Sequence, residues 1–319
     1  MRRTLITNPR NRRLREARRL HRRRERDRTQ RFLAEGEDLI EAAARSGRLP
    51  LEGFRLAGSG LGGREFADVS EDALATVCAL SSGSKAIAVF EQRWAERPVG
   101  PLCLYLHGLS DPGNVGAAIR SAAAFGASCV ALSPRCADPH SPKAVRASMG
   151  AIFAVHLARC STPAELPGIR IALAPRGGVR LSELRGRLAG AAAPLCGGGP
   201  AGRRSPLSIL VGAERDGLPP EIVRGCDEIA RIPVEIDSLN AAMAATIALY
   251  ELTREDIEGM GVIVEGARSS PAGRCLTGER IGGATGELIG GPTGELIGGA
   301  DGLCGRSDES CERERADRC

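Results

Sequence analysis

Short apolar runs alternate with helical stretches along the middle of this chain, and this alternation restricts its fold more than any other feature. The apolar runs are Leu102–Leu106, Cys129–Leu132, Ile169–Ala174, Leu207–Gly212 and Ile229–Pro233. The helical stretches are Val115–Phe125, Pro142–Ala147, Pro219–Arg224 and Leu239–Glu251. Strands that alternate with helices predict a parallel sheet whose two faces are covered by helices. The sequence therefore predicts an α/β fold.

Three loops fall at the carboxyl ends of the predicted strands, where ligands of such sheets bind. They contain Asn114, Gly212 and Ser238. The last loop leads into the alanine-rich run SLNAAMAATIALYE, in which Ser238 and Asn240 are residue types that cap helix starts. A helix start offers unpaired N–H donors to an anionic ligand, but most capped helices bind nothing. This helix start therefore indicates a site only because two other loops are expected beside it.

Composition excludes several classes of protein. The 319 residues suffice for two domains, and 42% hydrophobic residues suit a globular chain. No apolar run approaches the ~20 residues of a membrane helix, and the Arg2-Arg3 pair is followed by more arginine rather than by an apolar export signal. The eleven cysteines contain no CxxC pair, so neither a disulfide framework nor a zinc site of the usual spacing is predicted. We therefore expect a cytoplasmic protein with reduced thiols and no metal.

Arginine is concentrated at the start of the chain. Between Arg2 and Arg31 there are 14 arginines, and the acids there are Glu16, Glu25 and Asp27. Such a block is expected to bind polyanions with an affinity that falls steeply with salt, which favours a nucleic acid as the partner. The alternative is an ordinary solvated helix face in a chain whose high-GC genome favours arginine.

The rest of the N-terminal third has a weaker pattern. From Pro9 to about Ala44 it is mostly helical, and a small α/β unit with strands at Phe54–Leu56 and Ala86–Phe90 and a helix at Glu71–Ala79 follows. The segment Gln92–Gly100 is predicted to be a linker. The candidate buried positions of the helical part are Leu14, Ala17, Leu20, Phe32, Leu33, Leu39 and Ile40.

After Gly266 the α/β pattern stops. The units TGERIGGA, TGELIGGP and TGELIGGA follow one another at a period of eight from Thr277 to Ala300. Glycine-rich units this short cannot bury a core, so a disordered tail is expected, with a solenoid as the alternative. The segment Leu188–Ser205, rich in Gly, Ala and Pro, is expected to be a surface insertion. The predicted domains are residues 1–97, 98–262 and the low-complexity tail 263–319.

Four segments together resemble the SpoU branch of the SPOUT methyltransferases. They are NVGAAIR, PKAVRASMGAIF, ILVGAERDGLP and SLNAAMAATIALYE. Members of that family transfer a methyl group from S-adenosylmethionine to a ribose 2′-hydroxyl of RNA. The resemblance implies a SPOUT-type parallel sheet with a C-terminal trefoil knot and a homodimer, and NPRNRRLREARRL is similar to the RNA-binding domain that many members carry. Ribosomal RNA, in particular 23S rRNA, is the expected substrate, with tRNA as the alternative.

The resemblance also implies roles for particular residues. Arg120 is the candidate for helping the ribose hydroxyl to ionise, as an unusual base or by binding the neighbouring phosphate. Asn114 would orient the substrate or Arg120, and Glu214 would receive charge from Arg120 or bind the substrate, its alternative being an ion pair beside Arg215. Ser238 and Asn240 would complete the pocket.

For the cofactor, the resemblance implies backbone and apolar contacts. Glycine at 212 would let the chain approach the ligand closely. The residues implied as cofactor-binding are Val211, Gly212, Ile232, Leu239 and Asn240.

The segment Pro233–Asp237 departs from the family pattern, because it is short and lacks the glycine of the usual Pro-Met-x-Gly loop. A shorter loop implies a tighter enclosure of the adenosyl group. It is also the best argument for a second hypothesis, a non-catalytic RNA-binding or ribosome-assembly protein on the same fold. The homodimer has an alternative as well, since a monomer that covers the apolar helix Leu239–Leu252 by itself would have the same sequence pattern.

Overall fold

The computed structural model describes residues 5–79, 83–191, 205–235 and 239–259. Three predictions lie outside these residues: the role of Ser238, most of the surface insertion and the repeat tail. The strands are β1 (Arg31–Glu35), β2 (Glu52–Leu56), β3 (Phe66–Val69), β4 (Ala86–Glu91), β5 (Trp94–Ala95), β6 (Leu102–Leu106), β7 (Cys129–Leu132), β8 (His156–Arg159), β9 (Ile169–Leu173), β10 (Val179–Arg180), β11 (Leu207–Val211) and β12 (Glu228–Arg231). The helices are α1 (Arg12–Arg19), α2 (Arg23–Thr29), α3 (Glu37–Arg45), α4 (Glu71–Ala75), α5 (Pro112–Ala124), α6 (Pro142–Ala147), α7 (Leu181–Ala191), α8 (Pro220–Arg224) and α9 (Ala241–Gly259).

The strands form two sheets. In the first, the order is β1-β4-β2-β3, where β4 is antiparallel to both of its neighbours and β2 is parallel to β3. In the second, the order is β10-β12-β9-β11-β6-β7-β8-β5, and the described pairings are all parallel. The α/β fold with a parallel sheet is therefore confirmed.

The prediction of a mostly helical segment up to Ala44 is partly wrong. Gln30 has a left-handed backbone conformation (φ 54°) that ends α2, and β1 follows directly. Phe32 and Leu33 belong to different apolar clusters, as alternating residues of a strand do. The predicted buried positions are nevertheless confirmed, because each is at most 7% exposed: Leu14, Ala17, Leu20, Phe32, Leu33, Leu39 and Ile40.

The linker predicted at Gln92–Gly100 contains a strand. Trp94 and Ala95 form β5, which pairs with Leu157 and Ala158 of β8 at the edge of the parallel sheet. The sequence does not predict β3, β8, β10 or α7, because their short or mixed sequences lack a clear apolar period. Helix α7 also occupies the first part of the expected surface insertion, and the helix expected over Glu71–Ala79 ends at Ala75.

An aromatic cluster joins the two sheets. Phe32 of β1 lies 5.9 Å from Phe153, and Phe90 of β4 lies 4.8 Å from Phe153, measured between ring centroids. His140 lies 4.8 Å from Phe32. Phe153 and His140 belong to the chain after β7, so one continuous core crosses the predicted linker.

A buried ion pair reinforces this junction. Arg26 Nη2 lies 2.7 Å from Asp138 Oδ2, and the two side chains are only 4% and 10% exposed. Arg26 also donates to the backbone oxygens of Leu20 and His21 at 2.8 and 2.9 Å. A guanidinium this well paired ties α2 to the loop after β7.

Helix α5 is held between α6 and α9. Gly116 allows α6 to approach closely, because a side chain there would meet the backbone oxygen of Ala144 and the side chain of Ala147. On its other side, the Ser121 hydroxyl lies 2.6 Å from that of Thr246 in α9. Helix α5 therefore packs against α6 on one side and α9 on the other, and α9 also contacts β11. No helix in the described ranges is both long and apolar enough to span a membrane.

Candidate functional site

A cavity of about 490 Å³ lies at the carboxyl edge of the parallel sheet. Its walls come from the ends of β9 and β11, the segment after β12 and the start of α9. Val211, Gly212, Ile232 and Leu239 line this cavity, together with Glu214. The structure thus brings four of the five predicted cofactor residues into one cavity, and the fifth, Asn240, lies between lining residues in sequence.

Gly212 is required by the loop that it begins. A Cβ atom at this position would collide with the backbone of Gly217 and Leu218. The N–H of Gly217 donates to the oxygen of Ala213 at 2.9 Å, and Gly217 has a left-handed backbone (φ 65°) that favours glycine. Glycine at 212 therefore allows the loop to fold back over the end of β11. The fold of this loop alone requires glycine at that position.

Asn114, Glu214 and Asn240 are brought together from three separate segments. Asn240 Nδ2 donates to Asn114 Oδ1 at 3.0 Å, and Asn114 Nδ2 donates to Glu214 Oε1 at 2.6 Å. Asn240 Oδ1 accepts the N–H groups of Ala242 and Met243 at 2.9 and 3.3 Å, so it caps α9 as predicted. We call these three residues the polar triad.

The direction of the hydrogen bonds in the polar triad is set at its two ends. Backbone N–H groups can only donate, so Asn240 must turn its oxygen to α9 and its nitrogen to Asn114. Asn114 then turns its oxygen to Asn240 and its nitrogen to Glu214, whose Oε1 accepts the hydrogen bond. The cap of α9 thereby orients a carboxylate that lines the cavity.

Asn114 lies in a helix rather than in a loop. Helix α5 begins at Pro112, three residues earlier than predicted, because Asp111 caps it by accepting the N–H of Gly113. Lys143 Nζ donates to Asp111 Oδ2 at 2.9 Å, and this hydrogen bond, with that of Gly113, lowers the pKa of Asp111. The first turn of α5 is thus anchored from α6, which holds Asn114 against Glu214.

Arg120 lies apart from the polar triad. It is six residues beyond Asn114 on α5, which places it about 9 Å further along the axis and about a third of a turn away. Its side chain is exposed, and it has no hydrogen-bonding or ionic partner within the described residues. The structure therefore brings together three of the predicted catalytic residues and leaves Arg120 on the surface.

His107 follows β6 at the same edge of the sheet and was not singled out from the sequence. Its ring Nδ1 lies 3.0 Å from the Tyr105 hydroxyl, and its backbone N–H donates to the backbone oxygen of Val211 at 2.8 Å. Burial, and then the charge of Arg135, lower the pKa of His107, so its imidazole is neutral near pH 7. The sequence signal that identifies His107 as a candidate is its position directly after a predicted strand. In the ranges that the structure describes, no three His, Cys, Asp or Glu residues cluster as metal ligands would.

Two family models match the chain. Residues 101–250 match the SpoU rRNA Methylase family, and residues 11–88 match the MRM3-like substrate binding domain. The domain at 101–250 belongs to the SpoU family. This SpoU domain contains the whole polar triad, and the second match covers most of the four-stranded sheet with the helices before it.

Curated relatives are similar over different lengths. The 23S rRNA (uridine(2479)-2'-O)-methyltransferase of Streptomyces viridochromogenes is 34% identical over 160 residues, which are 47% of this chain and 51% of the relative. The 23S rRNA (guanosine(2553)-2'-O)-methyltransferase RlmP of Bacillus subtilis is 27% identical over 260 residues, which are 77% of this chain and 98% of the relative. The chain thus spans about half the length of the first relative and nearly all of the second.

Among solved structures, the AdoMet-bound rRNA methyltransferase from Sinorhizobium meliloti is similar with a TM-score of 0.65 and 29% identity. The similarity covers 79% of this chain and 98% of that one. It therefore extends beyond the SpoU domain.

Proposed function

We propose that this chain transfers a methyl group from S-adenosylmethionine to a ribose 2′-hydroxyl of RNA. The observation that carries the proposal is the polar triad of Asn114, Glu214 and Asn240 beside a cavity lined by Val211, Gly212, Ile232 and Leu239. The SpoU domain and the named activities of the relatives support it. We propose 23S rRNA as the substrate and tRNA as the alternative, in the cytoplasm.

The cavity suits this cofactor in size and chemistry. Its volume of about 490 Å³ lies in the range of small-molecule sites, and its walls are largely apolar, with Glu214 and Arg215 as charged groups. When bound, S-adenosylmethionine supplies an already activated methyl group. The protein then contributes position and electrostatics, and the proposed reaction requires no metal.

Arg120 is proposed to act on the RNA rather than on the cofactor. Its exposed guanidinium is available to a phosphate, which it matches with two parallel hydrogen bonds. Neutralising the phosphate beside the target ribose would remove a negative charge that opposes ionisation of the 2′-hydroxyl. Asn114 and Asn240 are proposed to hold Glu214 and the ribose in place, and Ser238 to complete the pocket.

The N-terminal region is proposed to bind the RNA. Its match to the MRM3-like substrate binding domain supports this, as does the exposure of the arginines on its first two helices. Between the start of α1 and the end of α2, five exposed arginines have no salt bridge to a described residue: Arg15, Arg18, Arg19, Arg22 and Arg24. The boundaries 1–97, 98–262 and 263–319 remain proposals.

A homodimer is proposed on the outer face of α9. Met243, Ile247 and Tyr250 share one stripe of this helix and are 61%, 38% and 48% exposed. Apolar side chains exposed in such a stripe favour an interface with a second copy. Sedimentation of the Met243→Glu variant as a monomer would support the dimer, and a monomeric wild-type chain would refute it.

We also propose the trefoil knot of the C-terminal part. The SPOUT-type relatives support it, and so does α9, which returns from β12 to pack against both α5 and β11. An experimental chain trace through residues 205–259 is the test.

The experiment that tests the proposed reaction is transfer of labelled methyl from S-adenosylmethionine to RNA. Separate pools of ribosomal and transfer RNA, each lacking the host's modifications, are incubated with the full chain and analysed as nucleosides. A 2′-O-methyl nucleoside in one pool is the expected result. No incorporation into either pool, with RNA binding retained, would replace this proposal by the non-catalytic RNA-binding protein.

A further inference from the structure

Trp94 is the single tryptophan of the chain, and it lines two adjoining cavities at the edge of the parallel sheet. One cavity, of about 560 Å³, lies where the two sheets meet, and the other, of about 370 Å³, lies at the carboxyl ends of β7 and β8. We call the two together the junction cleft. Its cationic lining consists of Arg23, Arg48, Arg93 and Arg159.

Trp94 provides a flat surface that is held in place from several directions. Its backbone belongs to β5, its Nε1 donates to Gln92 Oε1 at 3.2 Å, and its ring meets His140 edge-on at 5.2 Å. The ring is half-buried, and the guanidinium of Arg159 lies over it, 4.6 Å from the centroid. Unpaired bases of RNA stack on aromatic rings and on guanidinium planes of this kind.

The lining of the junction cleft carries positive charge in both cavities. Arg48 donates to the backbone oxygen of Glu91 at 2.9 Å and lies 6.0 Å from the ring centroid of Phe153. Burial, and then repulsion from Arg93, lower the pKa of Arg48. Arg93 and Arg159 have no ionic partner in the part of the chain that the structure describes. Like charges around a half-enclosed cavity repel each other, and an anion bound there would relieve the repulsion.

Acids also line the cleft, but two of the three are already paired. Asp138 is bound by Arg26 at 2.7 Å, and Asp27 lies 3.6 Å from Arg23. Glu91 is the third acid, and it is exposed. The unpaired charge of the cleft is therefore mainly positive.

The position of the cleft fits a path for RNA. The smaller cavity and the proposed cofactor cavity lie at the same edge of the sheet, and β8 is three strands from β11, which is about 14 Å. Arg23 belongs to α2, so the cleft adjoins the basic helices. A single strand that reaches the cofactor cavity from those helices would cross the cleft.

We propose that the junction cleft binds an unpaired nucleotide of the RNA, with the base on the Arg159–Trp94 stack and the phosphate held by Arg48 and Arg93. This proposal rests on the proposed function, because it takes RNA as the substrate. An unpaired nucleotide is required because the stacked face of a base in a duplex is covered by its neighbours.

The single tryptophan makes the test direct. The full chain is titrated with a single-stranded RNA oligonucleotide, and Trp94 emission is followed beside the anisotropy of the labelled RNA. We expect the emission to change with the same midpoint as the anisotropy. Binding by anisotropy without a change in Trp94 emission would overturn the proposal, and so would an equal change with a blunt duplex of the same sequence.

Two double variants distinguish RNA binding at the junction cleft from a general effect of positive charge on RNA affinity. We expect Arg93→Ala combined with Arg159→Ala to weaken binding at least fivefold, because it removes one phosphate contact and part of the stacking surface for the base. The salt slope should fall by about 0.7, as loss of the one phosphate contact of Arg93 on a single strand would do. The control removes two exposed arginines near the opposite edge of the sheet, Arg180→Ala with Arg187→Ala, and should change binding less than twofold. Equal losses in both pairs would refute a local site.

The two proposals fail separately. A change in Trp94 emission without methyl transfer would count against the reaction and leave the cleft standing. Methyl transfer without a change in Trp94 emission would refute the proposed site in the junction cleft and leave the proposed reaction standing.

Discussion

The carboxyl edge of the parallel sheet has two ends that differ in chemistry. At the cofactor cavity, beyond β9 and β11, the walls are largely apolar and the polar triad is internally hydrogen-bonded. The junction cleft extends from the carboxyl ends of β7 and β8 to the place where the two sheets meet. Its lining includes four arginines and Trp94, and two of these arginines lack ionic partners among the described residues. The first lining suits contact with the apolar parts of a small molecule, and the second suits a polyanion.

The two ends are also stabilised differently. The cavity end depends on backbone fit at Gly212 and on the hydrogen bonds of the polar triad, whereas the junction end depends on the buried pair of Arg26 and Asp138. Variants at the cavity end should therefore change catalysis more than folding. Variants that disrupt the junction should change folding and RNA binding more than affinity for the cofactor.

The largest effect is expected for Arg26→Ala. It leaves the carboxylate of Asp138 buried and unpaired, which costs about 3–5 kcal/mol of the free energy of unfolding. Denaturant unfolding measures this loss. Arg146→Ala is the matched control at the same junction, since its pair with Asp38 is 40% and 44% exposed and should contribute at most about 1 kcal/mol. Similar losses for both variants would show that burial of the Arg26 pair is not what stabilises the junction.

The next effect is expected at the cavity end. Arg120→Ala should lower methyl transfer by about 10²–10³-fold, the usual effect of removing one group that stabilises developing charge. Affinity for S-adenosylmethionine, measured by calorimetry, should stay within twofold, because Arg120 does not line the cavity. Arg180→Ala is an exposed control that should retain full activity. Normal turnover of Arg120→Ala would remove Arg120 from the proposed mechanism.

At the junction, we expect the free energy of unfolding to depend on pH through His140. Burial lowers the pKa of His140 to about 4 in the folded chain, whereas unfolded histidine titrates near 6.5. Below pH 6.5 the unfolded chain binds a proton that the folded chain excludes, so stability falls as the pH is lowered from 6.5 to 4. The loss is about 3 kcal/mol. His140→Phe should keep the ring packing against Phe32 and Trp94 and flatten this part of the stability profile. An unchanged slope in that variant would assign the acid sensitivity to other groups.

The sequence predicts the cavity end far better than the junction end. The strands β6, β7 and β11 are fully buried and apolar except for Ser208, so their positions in the chain and their carboxyl-end loops follow from the sequence pattern. Asn114 and Gly212 lie in or beside those loops. Asn240 lies between β12 and α9, and its helix cap has a local sequence signature. The hydrogen bond between Asn114 and Glu214, which are 100 residues apart, has no local sequence signature. It forms because β6 and β11 are parallel neighbours in the sheet.

The junction is assembled almost entirely from distant residues. Arg26 and Asp138 are 112 positions apart, and β5 is a strand of two residues inside a segment whose Pro98 and Gly100 indicate a linker. Such contacts depend on how two sheets pack, and neither propensity nor period encodes that. The arginine excess was visible in the sequence, but its division between a buried pair and exposed side chains was not.

The smallest and most specific effect is expected within the polar triad. Asn114→Ala removes the donor to Glu214 and the acceptor for Asn240, and it should lower stability by about 1 kcal/mol, since the site is only partly buried. Asn114→Asp has nearly the same shape but turns a carboxylate towards Glu214 where the structure has an amide nitrogen. At neutral pH it should therefore be less stable than Asn114→Ala, and it should recover on acidification as the two carboxylates come to share a proton. Thermal melts of both variants at pH 7 and pH 5 measure the difference. If the aspartate variant were the more stable of the two at pH 7, the proposed direction of the hydrogen bonds would be wrong.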